Sequence, residues 1–154
     1  MSVIDARLKE LGITLAPPPA PVAAYVPFTR SGNMVFISGQ VPLSDGALKY
    51  VGKLGADFSV EVGQAAAQLC AINILSVLRE ACGGDLDRVV RCLKVNVFVN
   101  ATPDYDKQPE VANGASDLFV AVFGDAGKHA RAAVGMGSLP RGVAVEVDAI
   151  FEIK

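Results

Sequence analysis

The chain has 154 residues, 51% of them hydrophobic and 19% charged, with a formal net charge of −2 at pH 7. That length and balance predict one folded domain with a substantial core and exclude an extensively disordered chain. The slight negative charge argues against broad binding to nucleic acid or to an anionic membrane, which needs clustered cations.

The first eleven residues carry charges throughout and contain no apolar segment of signal-peptide type. No apolar run approaches about 20 residues, so no membrane span is predicted and a cytoplasmic location is expected. Ser2 can cap a short helix, with Asp5 at its third position; Ile4, Leu8 and Leu11 form its apolar stripe and Gly12 ends it. Ala16–Pro21 is rich in proline and can be neither helix nor central strand, so it predicts an extended connector. Residues 1–21 are therefore expected to be a helix and connector leading into a single domain over 22–154.

Ala23–Thr29 reads as a strand, Ser31-Gly32-Asn33 as a turn, and Met34–Ile37 as a strand ending at Ser38-Gly39-Gln40. Residues 41–57 show little periodicity and read as loop. Ser59 can cap a long helix reaching Ala81, with Ala65, Leu69, Ile72, Leu75 and Leu78 as its apolar face; Gly83-Gly84 stops it. Val89–Asn100 alternates as a strand, with Leu93, Val95, Val97 and Val99 on one side and Lys94, Asn96 and Phe98 on the other. Thr102-Pro103-Asp104 carries start signals for a helix running to about Phe123. The remainder reads as a hairpin: a strand from Ala130 carrying Arg131, a Leu139-Pro140-x-Gly142 turn, and a strand from Val143 carrying Glu146.

The order ββαβαββ after a leading helix predicts an α+β fold, a mixed sheet with two long helices on one face. Along the last strand, Val143, Val145, Val147, Ala149, Phe151 and Ile153 should meet the helices. Ala144, Glu146, Asp148, Ile150 and Glu152 fall on the other side, with Lys94, Asn96 and Phe98. That second face mixes acids with apolar residues, which suits contact with other subunits; an ordinary half-solvated sheet face is the alternative.

Cys70, Cys82 and Cys92 match no metal-site spacing and are expected to be buried, reduced thiols. The single histidine, His129, argues against a zinc or two-histidine acid–base site. No metal is called for.

The ordered motifs Tyr25-Val26, Gly32-Asn33-Met34, Ser38-Gly39-Gln40-Val41-Pro42, Gln68 with Asn73-Ile74, and Val95–Val99 resemble the Rid family, also called YjgF-like proteins. Asn113, Ala130-Arg131, Leu139-Pro140-x-Gly142 and Val145-Glu146-Val147 extend the resemblance, which covers roughly residues 22 to 153. It implies a chorismate-mutase-like fold, a homotrimer with a central β-barrel, and ligand clefts between subunits. It also implies hydrolysis of reactive 2-enamine and 2-imino acids to 2-oxo acids and ammonia, without metal or organic cofactor.

Arg131 stands at the family's carboxylate-binding position, where a planar guanidinium can grip both oxygens. Glu146 stands at the position linked to water activation. Ser38, Gly39 and Ala133 match segments lining the cleft, Tyr25 matches an aromatic at its wall, and Asn113 matches a residue of the second helix. Each has a plainer alternative. Arg131 and Glu146 could be interface residues, Tyr25 could be packing, Ser38-Gly39 only a strand-end turn, and Asn113 a structural cross-link.

The chain departs from many relatives at His129, where they carry proline, and at Ala132-Ala133, where they often carry Ser-Cys. The missing thiol excludes covalent catalysis there but not attack by water. His129 could touch substrate or tune a pH response; the plainer expectation is an exposed loop histidine. Two other functions compete: a non-catalytic trimer that binds 2-oxo acids or acts as a chaperone, and an endoribonuclease. The second is disfavoured by one histidine, no basic run and few aromatics for base stacking.

Overall fold

The computed structural model describes residues 2–154. Helix α1 spans Val3–Glu10, capped by Ser2, whose Oγ accepts from the Asp5 amide. Leu8 is buried, and the amides of Val3 and Ile4 both donate to the Asp87 carboxylate, at 3.0 and 2.9 Å. This carboxylate is the local partner of the helix's orphaned N-terminal donors.

The strands are β1 (Phe28–Ser31), β2 (Met34–Gln40), the short pair β3 (Leu43–Ser44) and β4 (Ala47–Leu48), β5 (Val89–Asn100), β6 (Ala130–Met136) and β7 (Val145–Ile153). The long helices are α2 (Val60–Ala81) and α3 (Gln108–Phe123). The main sheet has five strands in the order β1-β2-β7-β5-β6, and α2 and α3 cover one face of it. Only β5 and β6 are parallel, and α3 is the crossover that a parallel pair requires. The expected α+β layering, with a mixed sheet and both long helices on one side, is what the chain adopts.

Alternation holds on β7. Val145, Val147, Ala149, Phe151 and Ile153 are all buried under the helices, while Glu146, Asp148, Ile150 and Glu152 are half-buried on the open face. On β5 the register shifts between Cys92 and Lys94. Cys92 therefore takes the buried position expected for Leu93, and Leu93 is only half-buried, because a bulge reverses the phase of the residues before it.

Four expectations need correction. First, β6 and β7 are not a hairpin: β5 lies between them, parallel to β6 and antiparallel to β7. The Leu139–Gly142 segment forms a short 3₁₀ turn, with Arg141 at φ 60°, that carries the chain past β5. Second, the strand expected over Ala23–Thr29 begins only at Phe28, because Ala23 sits at φ 61° in a turn. Third, α3 starts at Gln108 instead of near Thr102. The Thr102 hydroxyl donates to Asp104 at 2.9 Å, and Pro109 is the proline in the first helical turn.

Fourth, the buried face of α2 is centred on Ala66, Ala67, Cys70, Ala71, Ile74, Val77 and Leu78; Ala65, Leu69 and Ile72 only flank it. Small residues carry this contact because the backbones come close. A β-carbon on Gly114 of α3 would lie 2.1 Å from the Gln64 carbonyl oxygen. Helix α2 is long and apolar enough to cross a membrane by length and composition alone. Half of its apolar stretch is buried here, and the helix packs beside α3 on the covered face of the sheet. The three cysteines are free and buried; burial pushes the Cys92 thiol up to about 12.

Candidate functional site

The expected site residues separate into two groups. The first is built on β6 and α3. Arg131 lies opposite Val95 of β5, and its side chain points to the helix face. Its Nη1 donates to Asn113 Oδ1 at 2.8 Å and to Ser116 Oγ at 3.1 Å, both on α3. An Nη group carries two hydrogens, so both are committed. Among the described residues, the hydrogen bonds of Arg131 all run from Nη1, leaving Nε and Nη2 uncommitted. Those two donors form the side-on fork that matches the two oxygens of a carboxylate. Ala133 is two residues along the same strand face, half-buried against the core. Strand β6 is a sheet edge, so its outer backbone groups are not used by the sheet.

His129 is not an exposed loop histidine. It is half-buried, its Nδ1 bonds the Gly127 carbonyl at 2.6 Å, its Nε2 bonds Ser116 Oγ at 2.9 Å, and Phe119 packs edge-on to its ring. Ser116 therefore joins His129 to Arg131. Sequence reasoning missed Ser116. Its spacing of three from Asn113 on a helix, which puts both on one face, is the signal that could have found it.

The second group lies on the opposite face of the sheet. Glu146 of β7 stands opposite Phe98 of β5. A β-carbon at Gly39 would come within 3.1 Å of Glu146 Cδ and Oε1, so the glycine is what lets β2 pass the carboxyl group. Burial, and then the neighbouring Asp148, push the Glu146 carboxyl above its ordinary range. Asp148 is itself held by Asn96 Nδ2 at 2.8 Å. The Ser38 hydroxyl donates to the Val26 carbonyl at 2.7 Å, tying the incoming chain to β2. Tyr25, just before that tie, is 60% exposed.

Arg131 and Glu146 therefore cannot meet within one chain. They sit on opposite faces, with β5 between their strands and three residues of β5 between their registers. That is about 10 Å along the strand and two spacings of about 4.8 Å across it. Two clefts of about 500 and 470 Å³ open elsewhere, one beside the start of α2 and one between the segment after α1, the first turns of α2 and the middle of α3; Asn113 borders the second, but neither is lined by Arg131 or Glu146.

The open face also carries Met34, Phe36 and Val134, each more than a third exposed, beside half-buried Phe98 and Ile150. A five-stranded mixed sheet with two long helices on one face and apolar side chains exposed on the other defines the class. The sequence profile of the family described as "YjgF/chorismate mutase-like, putative endoribonuclease" matches residues 5–148, and the chain belongs to that YjgF-like, or Rid, family.

Similar proteins fall into line with this. Protein TCP17 of Trypanosoma cruzi is 49% identical over 97% of this chain and 94% of its own length. The crystal structure of a protein of unknown function from Agrobacterium tumefaciens is 49% identical, covers 99% of this chain and 93% of its own, and superposes with a TM-score of 0.93. A 2-iminobutanoate/2-iminopropanoate deaminase of Dermatophagoides farinae is 28% identical over 88% of this chain and 91% of its own length.

Proposed function

We propose that the chain hydrolyses 2-enamine and 2-imino acids to 2-oxo acids and ammonia, without a cofactor, in a cleft assembled between copies of itself. The observation that carries this reading is the Arg131 guanidinium, pinned through Nη1 with its Nε–Nη2 edge left for a small carboxylate. The deaminase name of the mite relative supports the substrate class. Because each chain presents the arginine and the glutamate on opposite sheet faces, a complete site draws Arg131, Asn113 and Ala133 from one copy. Glu146, Ser38 and Gly39 then come from the next, with Tyr25 at the cleft wall. A homotrimer whose open sheet faces form a central barrel meets that need and covers Phe36, Phe98, Val134 and Ile150.

The chemistry balances simply. The imine carbon takes the oxygen of one water, two protons pass to nitrogen, ammonia leaves, and the 2-oxo acid remains. Arg131 holds the carboxylate and orients the C=N carbon. Glu146, whose raised carboxyl pKa brings it nearer the range useful for proton transfer, takes the proton of the attacking water and returns it to the departing nitrogen. No enzyme nucleophile is required, so Ala132 and Ala133 in place of Ser-Cys are compatible with the reaction.

A second reading, a trimer that binds 2-oxo acids without turning anything over, draws on the same fork. The test generates imino acids enzymatically from several parent amino acids and traps the survivors with semicarbazide. Faster imine loss with the wild-type protein, absent in Arg131→Ala, is expected. No acceleration with any substrate, alongside retained 2-oxo acid binding, overturns the hydrolase in favour of the binding protein.

A further inference from the structure

We propose that Ser116 and His129 are positioning residues, a hydrogen-bond relay that aims the free edge of Arg131 at its anion and releases that aim when the imidazole takes a second proton. The proposal rests on the carboxylate-binding role given to Arg131 above, and extends it to two residues that role does not include.

The direction of each bond follows from the groups. The Gly127 oxygen can only accept, so His129 Nδ1 carries a proton in the 2.6 Å contact. Arg131 can only donate, so Ser116 Oγ accepts from Nη1 at 3.1 Å. The serine's own proton then has one partner, the Nε2 lone pair of a neutral imidazole at 2.9 Å. Donation runs one way, from Arg131 through Ser116 and His129 to the Gly127 carbonyl, and each step polarises the next. Every member is satisfied only while His129 is neutral.

The surroundings favour that state. Burial lowers the imidazole pKa from its ordinary value; the Gly127 bond opposes this, and the Arg131 charge adds to it. On α3 the ring meets Ser116 and the edge of Phe119, which carry no charge. On the preceding turn, Lys128 pairs with Asp125 at 3.2 Å on the exposed side, and Arg91 of β5 donates to the Lys128 carbonyl. A protonated His129 would turn Nε2 into a donor toward Ser116, strand the serine proton and set a second positive charge beside Arg131. A proline in this position could make none of these side-chain bonds.

The test uses the full-length protein and two readouts. In the ligand-free protein, nitrogen-15 NMR should find the Nδ1–H tautomer of His129, and Ser116→Ala should shift the Arg131 Nε–H resonance. An Nε2–H tautomer, or an unmoved arginine resonance, overturns the relay whatever any ligand does. In the second readout, calorimetry follows 2-oxobutanoate binding between neutral pH and about pH 5. Ser116→Ala and His129→Ala should weaken binding about three- to tenfold at neutral pH. Wild-type affinity should fall on acidification, whereas His129→Gln, which keeps an acceptor for Ser116 but does not titrate, should bind nearly as well as wild type with a flat profile. An acid-dependent loss that persists in His129→Gln overturns the proposal. Failure of the wild type to bind any 2-oxo acid, with the NMR relay intact, instead sinks the carboxylate role of Arg131.

Discussion

Asn113 Oδ1 accepts a hydrogen bond from Arg131 Nη1 at 2.8 Å, and this contact decides which edge of the guanidinium is free. Removing it leaves Ser116 as the sole hold on the arginine. Asn113→Ala should raise KM for an imino acid, and the Kd for 2-oxobutanoate, by about tenfold, the worth of one hydrogen bond to a charged group. Circular dichroism should be unchanged, since Asn113 is only half-buried. Unaltered affinity would mean that the Asn113 bond does not orient the fork, Ser116 and the strand sufficing without it.

Glu146 carries the proton chemistry in the proposed reaction, so Glu146→Gln should lower kcat far more than it weakens 2-oxo acid binding. The acid limb of the wild-type rate profile, rising as the carboxylate ionises, should vanish in the variant. Stability should move the other way. The folded-state pKa is raised, so the protonated form is favoured, and its contribution is present below the ordinary value of 4.5 and lost as pH rises through the folded value. At neutral pH the variant removes a half-buried charge facing Asp148, and its Tm should exceed that of wild type. A lower Tm with unchanged kcat would make Glu146 a structural interface residue.

The parts of the fold legible in the sequence are those governed by local rules. Ser2 and Ser59 cap the helices their spacing announced, and alternation assigns the faces from Val145 to Ile153, failing only at Ala144, which lies before the strand and is buried in the core. The failures come where pairing is non-local. Nothing in Ala130–Val147 says that β5 will lie between β6 and β7, since a strand–turn–strand pattern suits a hairpin equally well. The Cys92–Lys94 bulge leaves no local signature, so Leu93 was placed by an alternation that the backbone breaks. On α2, Leu75 and Leu78 are buried as their spacing predicts, but toward the N-terminal half the buried face turns to Ala66, Ala67, Cys70 and Ala71 in place of Ala65, Leu69 and Ile72. The site residues were named individually through motifs, but their division between two faces is a property of strand order.

Gly114 tests the α2–α3 contact directly. With a β-carbon 2.1 Å from the Gln64 oxygen, Gly114→Ala must push the helices apart, because the obstacle is backbone and not the end of a flexible side chain. Overpacking of this kind costs about 1–3 kcal/mol. Thermal unfolding should fall by several degrees, about 2–4 °C per kcal/mol for a chain of this size. Gln64 Nε2 also donates to the Glu110 carbonyl at 2.8 Å, so the shift should reach the first turn of α3. An unchanged Tm would mean the two helices can slide without loss.

The division of Arg131 and Glu146 between opposite sheet faces yields the sharpest expectation about assembly. If each cleft takes its arginine from one copy and its glutamate from the next, Arg131→Ala and Glu146→Gln chains should each be inactive alone yet restore activity when co-assembled. Each defective chain still supplies the half that the other lacks. In any mixed trimer one cleft in three joins an intact arginine half to an intact glutamate half, so the purified mixed species should approach about a third of wild-type activity per cleft. Tagging the two variants differently and purifying the mixed species before assay separates complementation from contamination. A mixed oligomer with no activity, while wild type is active under the same conditions, would mean that each chain builds its own site through a rearrangement bringing the two faces together, and the inter-copy cleft would have to be abandoned.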